Sequence, residues 1–276
     1  MAGGEQREAG VITVAEHGPV AVVRLDHGKV NALDVDLLRA ITETMTGLAA
    51  APSVVLTGTG SVFSAGVDLR SVADGGPPYV LEFLPALSEA FLAVFDCPRP
   101  VVAAVNGHAI AGGCVLAAAC DLRLMSAGTI GLTELLVGVP FPIAALEIMR
   151  FVAGPAVAGL ALTARTTGPA EAHRIGLVDA VVDPAELLDE AVRRAGALAQ
   201  LPAGAYAMTK EQLHRLTRHR IDELRLTDDP RVAEAWTSPQ AQAAIADYLG
   251  RLGRRPAEPA KPAEPAEPAE PESRQG

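Results

Sequence analysis

Through its first two thirds this chain alternates two kinds of segment, and that alternation limits its fold more than any other feature. Residues 11–15, Val20–Leu25, 54–56, Val101–Val105 and Leu122–Met125 are short runs rich in Val, Leu and Ala, with the length of buried strands. Between them lie stretches whose apolar residues recur every three or four positions. The clearest follows Asp34, where Val35, Leu38, Ile41, Met45 and Leu48 share one helical face. Strand and helix in alternation predict an α/β fold. His17-Gly18-Pro19 punctuates the first two strands as a hairpin. Residues 178–182 read as the last strand. Asp183 is then predicted to cap a helix, with Pro184 at its first position and Glu186 in the capping-box place. From there to about residue 250 the pattern is helical, restarting at Ser238-Pro239. The expected organisation is a flexible N-terminus (1–10), an α/β core (11–200), a C-terminal helical region (201–255) and a disordered tail (256–276). The tail repeats Pro-Ala-Glu or Pro-Ala-Lys, which favours an extended, solvated chain.

Composition then removes several function classes. Apolar residues make up 49 % of the 276, enough for a sizeable core. The formal charge is −10, which argues against a partner such as nucleic acid, whose phosphates need clustered Lys and Arg. Cys97, Cys114 and Cys120 are an odd set matching no zinc spacing, so reduced thiols and a cytoplasmic setting are expected. The opening MAGGEQREAG has no apolar core of a secretory signal. Residues 101–120 and 135–164 are too interrupted to supply the roughly 20 apolar residues of a membrane span. The six histidines are scattered, and neither a GxGxxG fingerprint, a phosphate loop nor a nucleophile elbow is present.

Three segments could carry chemistry: FSAGVDL (63–69), NGHAIAGGCVLAAACDLRLMS (106–126) and IGLTELLVGVPFP (130–142). Glycine turns let backbone amides face a ligand, and such amides can hold a developing oxyanion. The same glycines could equally serve close packing alone. Glu134 is the informative acid. It sits in a run from 130 to 146 that is otherwise apolar or small around it, and burial would raise its pKa toward that of a neutral-pH base.

Together with KVNALD (29–34), these motifs resemble the crotonase superfamily, the enoyl-CoA hydratase/isomerase family, over roughly residues 10–250. The resemblance implies a spiral of ββα units with a C-terminal helical region that mediates trimerisation, as homotrimer or hexamer. It implies an acyl-CoA thioester as the partner, coenzyme A entering only as part of the substrate, with no metal and no other cofactor. The oxyanion hole would be the amides of Val67 and Gly112. Substrate contacts would come from Lys29, Val30, Ala65, Gly66, Asp68, Leu69 and Arg70, with Lys29 and Arg70 toward phosphates. Phe141 is expected to shape the pocket near Glu134, and Val115 to stand where the family's hydratases have the first of two glutamates. Leu81, Phe83, Leu84, Leu87, Phe91 and Phe95 could offer an acyl wall, but simple helix packing is expected of all but one or two of them. Glu82 and Glu89 would be rival acids, whereas Asp121 reads as structural. One acid without its pair is closer to the 3,2-enoyl-CoA isomerases, with Glu134 as the single catalytic proton shuttle. The alternatives are an enoyl-CoA hydratase, another thioester enzyme of this fold, and a non-catalytic acyl-CoA-binding subunit.

Overall fold

The computed structural model describes residues 7–253. Strands β1 (Arg7–Ala9), β2 (Ile12–His17) and β3 (Val20–Leu25) form an antiparallel meander. β1 falls inside the segment expected to be flexible. An edge strand needs only backbone pairing, so the polar sequence REA gave no apolar signal for it. The proposed tail, 256–276, lies outside the described residues.

From β3 onward a unit repeats. β4 (Ala32–Leu33) leads into helix α1 (Val35–Gly47). β5 (Ser53–Gly58), β6 (Val62–Ser64) and β7 (Gly66–Val67) lead into α2 (Leu69–Phe95). β8 (Val101–Val105) and β9 (His108–Ile110) lead into α3 (Gly112–Ala118). β10 (Leu122–Met125) and β11 (Ile130–Gly131) lead through a 3-10 turn, Glu134–Val137, into α4 (Ile143–Ala153). The leading strands β3, β5, β8 and β10 lie side by side and parallel in one sheet. The following strands β6, β9 and β11 pair in parallel in a second. The units led by β5, β8 and β10 each contribute one strand to each sheet, while β4 of the first unit pairs with β7 in a separate two-stranded sheet, and stacking unit on unit winds the chain into a spiral.

α5 (Ala156–Leu162), β12 (Thr166–Thr167), α6 (Pro169–Arg174) and β13 (Ala180–Val181) complete the sheets, β12 against β11 and β13 against β10. α7 (Leu187–Leu198) lays Leu187, Ala191 and Ala195 on Val22, Val55, Val102 and Leu124 of the first sheet. β5 and β8 are therefore buried on both faces. That is why they read as continuous rather than alternating apolar runs. α8 (Ala203–Thr237) and α9 (Pro239–Gly253) form the helical third. α2 has the length and hydropathy of a membrane span, but it bends at Gly76 and buries Val80, Phe83, Leu87 and Phe91 in the core.

Two of the three helix starts read from the sequence hold. Asp34 accepts from Leu37 N–H at 2.8 Å, and Ser238 Oγ accepts from Ala241 N–H at 3.1 Å. Asp183 does not cap α7. Its carboxylate accepts from Ala185 N–H at 2.8 Å, making a local turn, and the helix begins four residues later at Leu187. The short Asp side chain found a nearer backbone donor than the helix offered.

α8 is pinned to the spiral by charge. Lys210, 7 % exposed, reaches Asp121 at 2.9 Å, and the same carboxylate accepts from Val101 N–H at 2.8 Å. Asp121 is structural, as its place after the buried helix suggested. Asp121→Ala would leave a buried ammonium with only the Arg99 carbonyl, at 3.5 Å, in place of its counter-charge. We expect it to cost about 3–5 kcal/mol, read as a lower urea midpoint at unchanged m-value.

Candidate active site

The site begins with a loop. Asn31, at φ 48°, donates through Nδ2 to Val62 O and Phe63 O, both at 3.2 Å, while its Oδ1 accepts from His27 N–H at 2.9 Å. Ser64 Oγ donates to Asn31 O at 2.7 Å, and His27 Nε2 meets Asp34 Oδ2 at 2.6 Å. These bonds hold Lys29 and Val30 beside the turn that follows β6. Asn31 lies in the KVNALD motif, yet its scaffolding role was not read from it. Only the fold shows which carbonyls its amide reaches.

The turn after β6 is tied across to that loop, Ala65 N–H to Val30 O and Asp68 N–H to Leu33 O, both at 2.9 Å. Gly66 then brings it against the start of α3. At φ +84° it adopts a conformation disfavoured with a Cβ, and such an atom would lie 2.5 Å from Ile110 O and 3.0 Å from Ala111 Cβ. Gly113 makes the reciprocal approach, where a Cβ would stand 2.4 Å from Ser64 O. The two backbone stretches expected to carry the oxyanion hole are thus in direct contact. Ala111 itself has φ 51°, a strained value for a residue with a Cβ, and strain of this kind is often found at functional sites. Helical bonding in α3 starts from Cys114 and Val115, which both donate to Ala111 O, so the Gly112 amide stays outside the ladder.

Glu134 opens the 3-10 turn beyond β11. It is 7 % exposed, and its buried Oε2 has no hydrogen-bond partner. Burial pushes its pKa up to about 7, opposed by the backbone N–H groups of Glu134 and Thr133. The same burial, with Glu134 nearby, holds the Cys114 thiol well above its usual range.

A cavity of about 620 Å³ joins these parts. Lys29, Val30, Ala65, Val67, Asp68, Leu69, Arg70 and Glu134 line it. Lys29 and Arg70 are exposed and stand in no ion pair among the described residues. Asp68 is already committed, accepting from Arg70 N–H at 3.0 Å and Ser71 Oγ–H at 2.6 Å as the cap of α2.

Other expectations need correction. Gly66 does not line the cavity, and Gly112 is buried just behind Ala111, so that only the peptide N–H joining the two can face the wall. Ala111 occupies the wall, and the side of Gly112 where a Cβ would project faces Leu33, Leu87 and Phe91. Val115 is fully buried in the core and does not line the cavity, because α3 buries every one of its residues. Phe141 is turned away, into a groove with Ile143, Leu146 and Val232 between α4 and α8. For α2 the helix-packing reading holds, and none of the six candidates for an acyl wall lines the cavity. Phe83, Leu84, Leu87, Phe91 and Phe95 belong to the core and Leu81 is exposed. The rival acids are disqualified, Glu82 pairing with Arg39 at 2.7 Å on the surface and Glu89 facing solvent. The apolar wall comes instead from Val137 and Val139 and from Trp236, Tyr248, Leu249 and Leu252 of the C-terminal helices. Trp236 is the chain's one tryptophan, the only sequence signal that could have drawn attention to α8. Among the described residues no cluster of three His, Cys, Asp or Glu is placed to hold a metal.

Comparison with known proteins agrees with this geometry. The family model described as enoyl-CoA hydratase/isomerase matches residues 15–252. The chain is 30 % identical over 251 residues to mouse "Enoyl-CoA delta isomerase 1, mitochondrial", covering 87 % of each protein. It is 33 % identical over 223 residues to the Mycobacterium tuberculosis "Probable enoyl-CoA hydratase echA8", covering 77 % of this chain and 84 % of the relative. The crystal structure of human mitochondrial delta3-delta2-enoyl-CoA isomerase superposes with a TM-score of 0.83 at 26 % identity, over 88 % of this chain and 98 % of that one. A spiral of two-strand units, a buried glutamate with one unpartnered oxygen beside two touching backbone turns, and a family match over nearly its whole described length place this chain in the enoyl-CoA hydratase/isomerase family, within the crotonase superfamily.

Proposed function

We propose that the protein is a 3,2-enoyl-CoA isomerase with Glu134 as its only proton carrier. One observation carries this: of the two acids that line the cavity, Asp68 is spent on a helix cap, and Glu134 keeps a buried oxygen, Oε2, with no hydrogen-bond partner. Positioning a water from two sides calls for two acids, and the place of the family's other glutamate is Val115, sealed in the core. Moving a double bond needs one carboxylate. The thioester carbonyl would accept from the Val67 and Gly112 amides. Glu134 takes a proton from C2, the electrons of that bond spread into a dienolate, and the thioester oxygen bears the charge. Each amide is worth about 3–4 kcal/mol to that charge in comparable oxyanion holes. The protonated Glu134 then delivers to C4, and the double bond rests between C2 and C3. A carboxyl near pH 7 suits both halves, since base and acid forms are each accessible at neutrality.

Lys29 and Arg70 are proposed to meet the coenzyme A phosphates. The proposal extends to a homotrimer built on α8, where Met208, Leu213, Leu216 and Leu226 are exposed, and to a cytoplasmic setting in keeping with three free buried thiols. Sedimentation equilibrium tests the assembly, and a monomer at micromolar concentration would refute it.

The reaction is tested by product mass. A 3-enoyl-CoA is expected to be converted without change of mass, and a 2-enoyl-CoA to gain little water. Gain of one water from the 2-enoyl-CoA, with the 3-enoyl-CoA untouched, would replace isomerisation by hydration.

A further inference from the structure

We propose that the corner between α8 and α9, with Trp236 as its fixed point, is the stop that sets how long an acyl group the cavity accepts. This rests on the acyl-CoA reading above and adds a specificity residue to it. The cavity wall divides by chemistry. Lys29 comes from the loop before α1, and Asp68 and Arg70 from the cap and first turn of α2. Val137, Trp236, Tyr248 and Leu249 come from the 3-10 turn and the two C-terminal helices. Val67, Ala111 and Glu134 are the reacting-centre residues of the same wall. A thioester held by its carbonyl at the centre, with its phosphates toward the cations, must send its acyl chain along the apolar wall.

A wall measures length only if it cannot swing aside. Trp236 is 1 % exposed, and its Nε1–H donates to Pro140 O at 2.9 Å. Its ring packs on Phe83 with centroids 6.1 Å apart. Displacing it would strand a buried N–H, so the indole is fixed. α8 is anchored just upstream as well, Asp229 accepting from Ile143 N–H at 3.1 Å. The last turns of α9 differ, with Tyr248 and Leu249 only partly buried and Leu252 half exposed. They form a side wall, and Trp236 forms the end.

The test is calorimetric binding of butanoyl-, octanoyl- and dodecanoyl-CoA to the full-length protein. These saturated esters report fit whatever the reaction. Trp236→Leu is expected to improve dodecanoyl-CoA relative to butanoyl-CoA by about tenfold over wild type. Trp236→Phe keeps most of the wall and should keep the wild-type order. Leu249→Trp adds bulk at a less buried position, folds independently of the Trp236 clamp, and should weaken dodecanoyl-CoA selectively. An unchanged length order in Trp236→Leu and Leu249→Trp overturns the stop while leaving acyl-CoA binding intact. Failure of wild type to bind any of the three esters overturns the acyl-CoA reading, and the stop with it.

Discussion

Glu134→Gln is expected to lower kcat for isomerisation by at least about 10³-fold, near the upper range for one acid–base group, because the same carboxylate serves both proton transfers. Acyl-CoA affinity should stay within about threefold, since the amide keeps the shape and the backbone contacts are untouched. A smaller loss, with kcat retained, would place the base elsewhere. The wild-type pH profile gives a second reading. Glu134 acts first as a base, so kcat/KM should fall tenfold per unit below a midpoint of about 7. A midpoint near the ordinary glutamate value of 4.5 would mean the carboxylate is solvated when it works. Stability should move the other way. The folded protein holds this proton to about pH 7 and the unfolded chain releases it near 4.5. Between those values the native state binds the extra proton, so raising the pH costs stability, and the cost is complete above the folded pKa. It amounts to about 3 kcal/mol. Glu134→Gln lacks that cost. Its urea midpoint should exceed wild type at pH 8, and the gap should narrow at pH 5.

Gly66→Ala is expected to act through geometry alone. The added Cβ meets Ile110 O at 2.5 Å, and the backbone must also leave φ +84°. Either response separates the Val67 turn from the Ala111 corner, so kcat/KM should fall by about 10²–10³-fold as one oxyanion donor is lost. Strain of this type costs about 1–3 kcal/mol of folding stability. Gly159→Ala is the control. It lies in α5 with open space where the Cβ would go, and it should leave both activity and stability near wild type or slightly above. Equal behaviour of the two variants would show that close approach at Gly66 is unimportant.

Much of the site was legible because its chemistry is local. The glycines of FSAGVDL and AIAGGC announce turns wherever they fold, and an acid in an apolar run announces a costly burial. Lys29, Asp68 and Arg70 flank those turns in sequence and so flank the cavity in space. The sequence is silent where a residue's surroundings come from far along the chain. Phe141 is seven residues from Glu134, yet Pro140 and Pro142 redirect the backbone, and the ring goes to α8. Val115 is one helical turn from Gly112, but α3 is enclosed on all sides, so an inward-facing position is not a cavity position. The apolar face of α2 fits either an acyl wall or plain packing, and packing, the reading favoured for all but one or two of its residues, is what the helix does, against α1, α4, α8 and α9.

By itself the sequence determined the alternation of strand and helix, the caps at Asp34 and Ser238, the glycine turns and the one acid that burial could turn into a base. Each of these follows from residues within a few positions of one another, where backbone conformation and hydrophobic period are set. Tertiary structure alone decided what closes the cavity. Trp236 and Tyr248 stand about a hundred residues beyond Glu134, and nothing in their own periodicity says what they will meet. They reach the site because Lys210 binds Asp121, Arg220 approaches Glu147 at 3.1 Å, and Trp236 binds Pro140 O. A period in sequence shows which face of a helix avoids water. Only the long-range bonds that dock the helix show what that face covers.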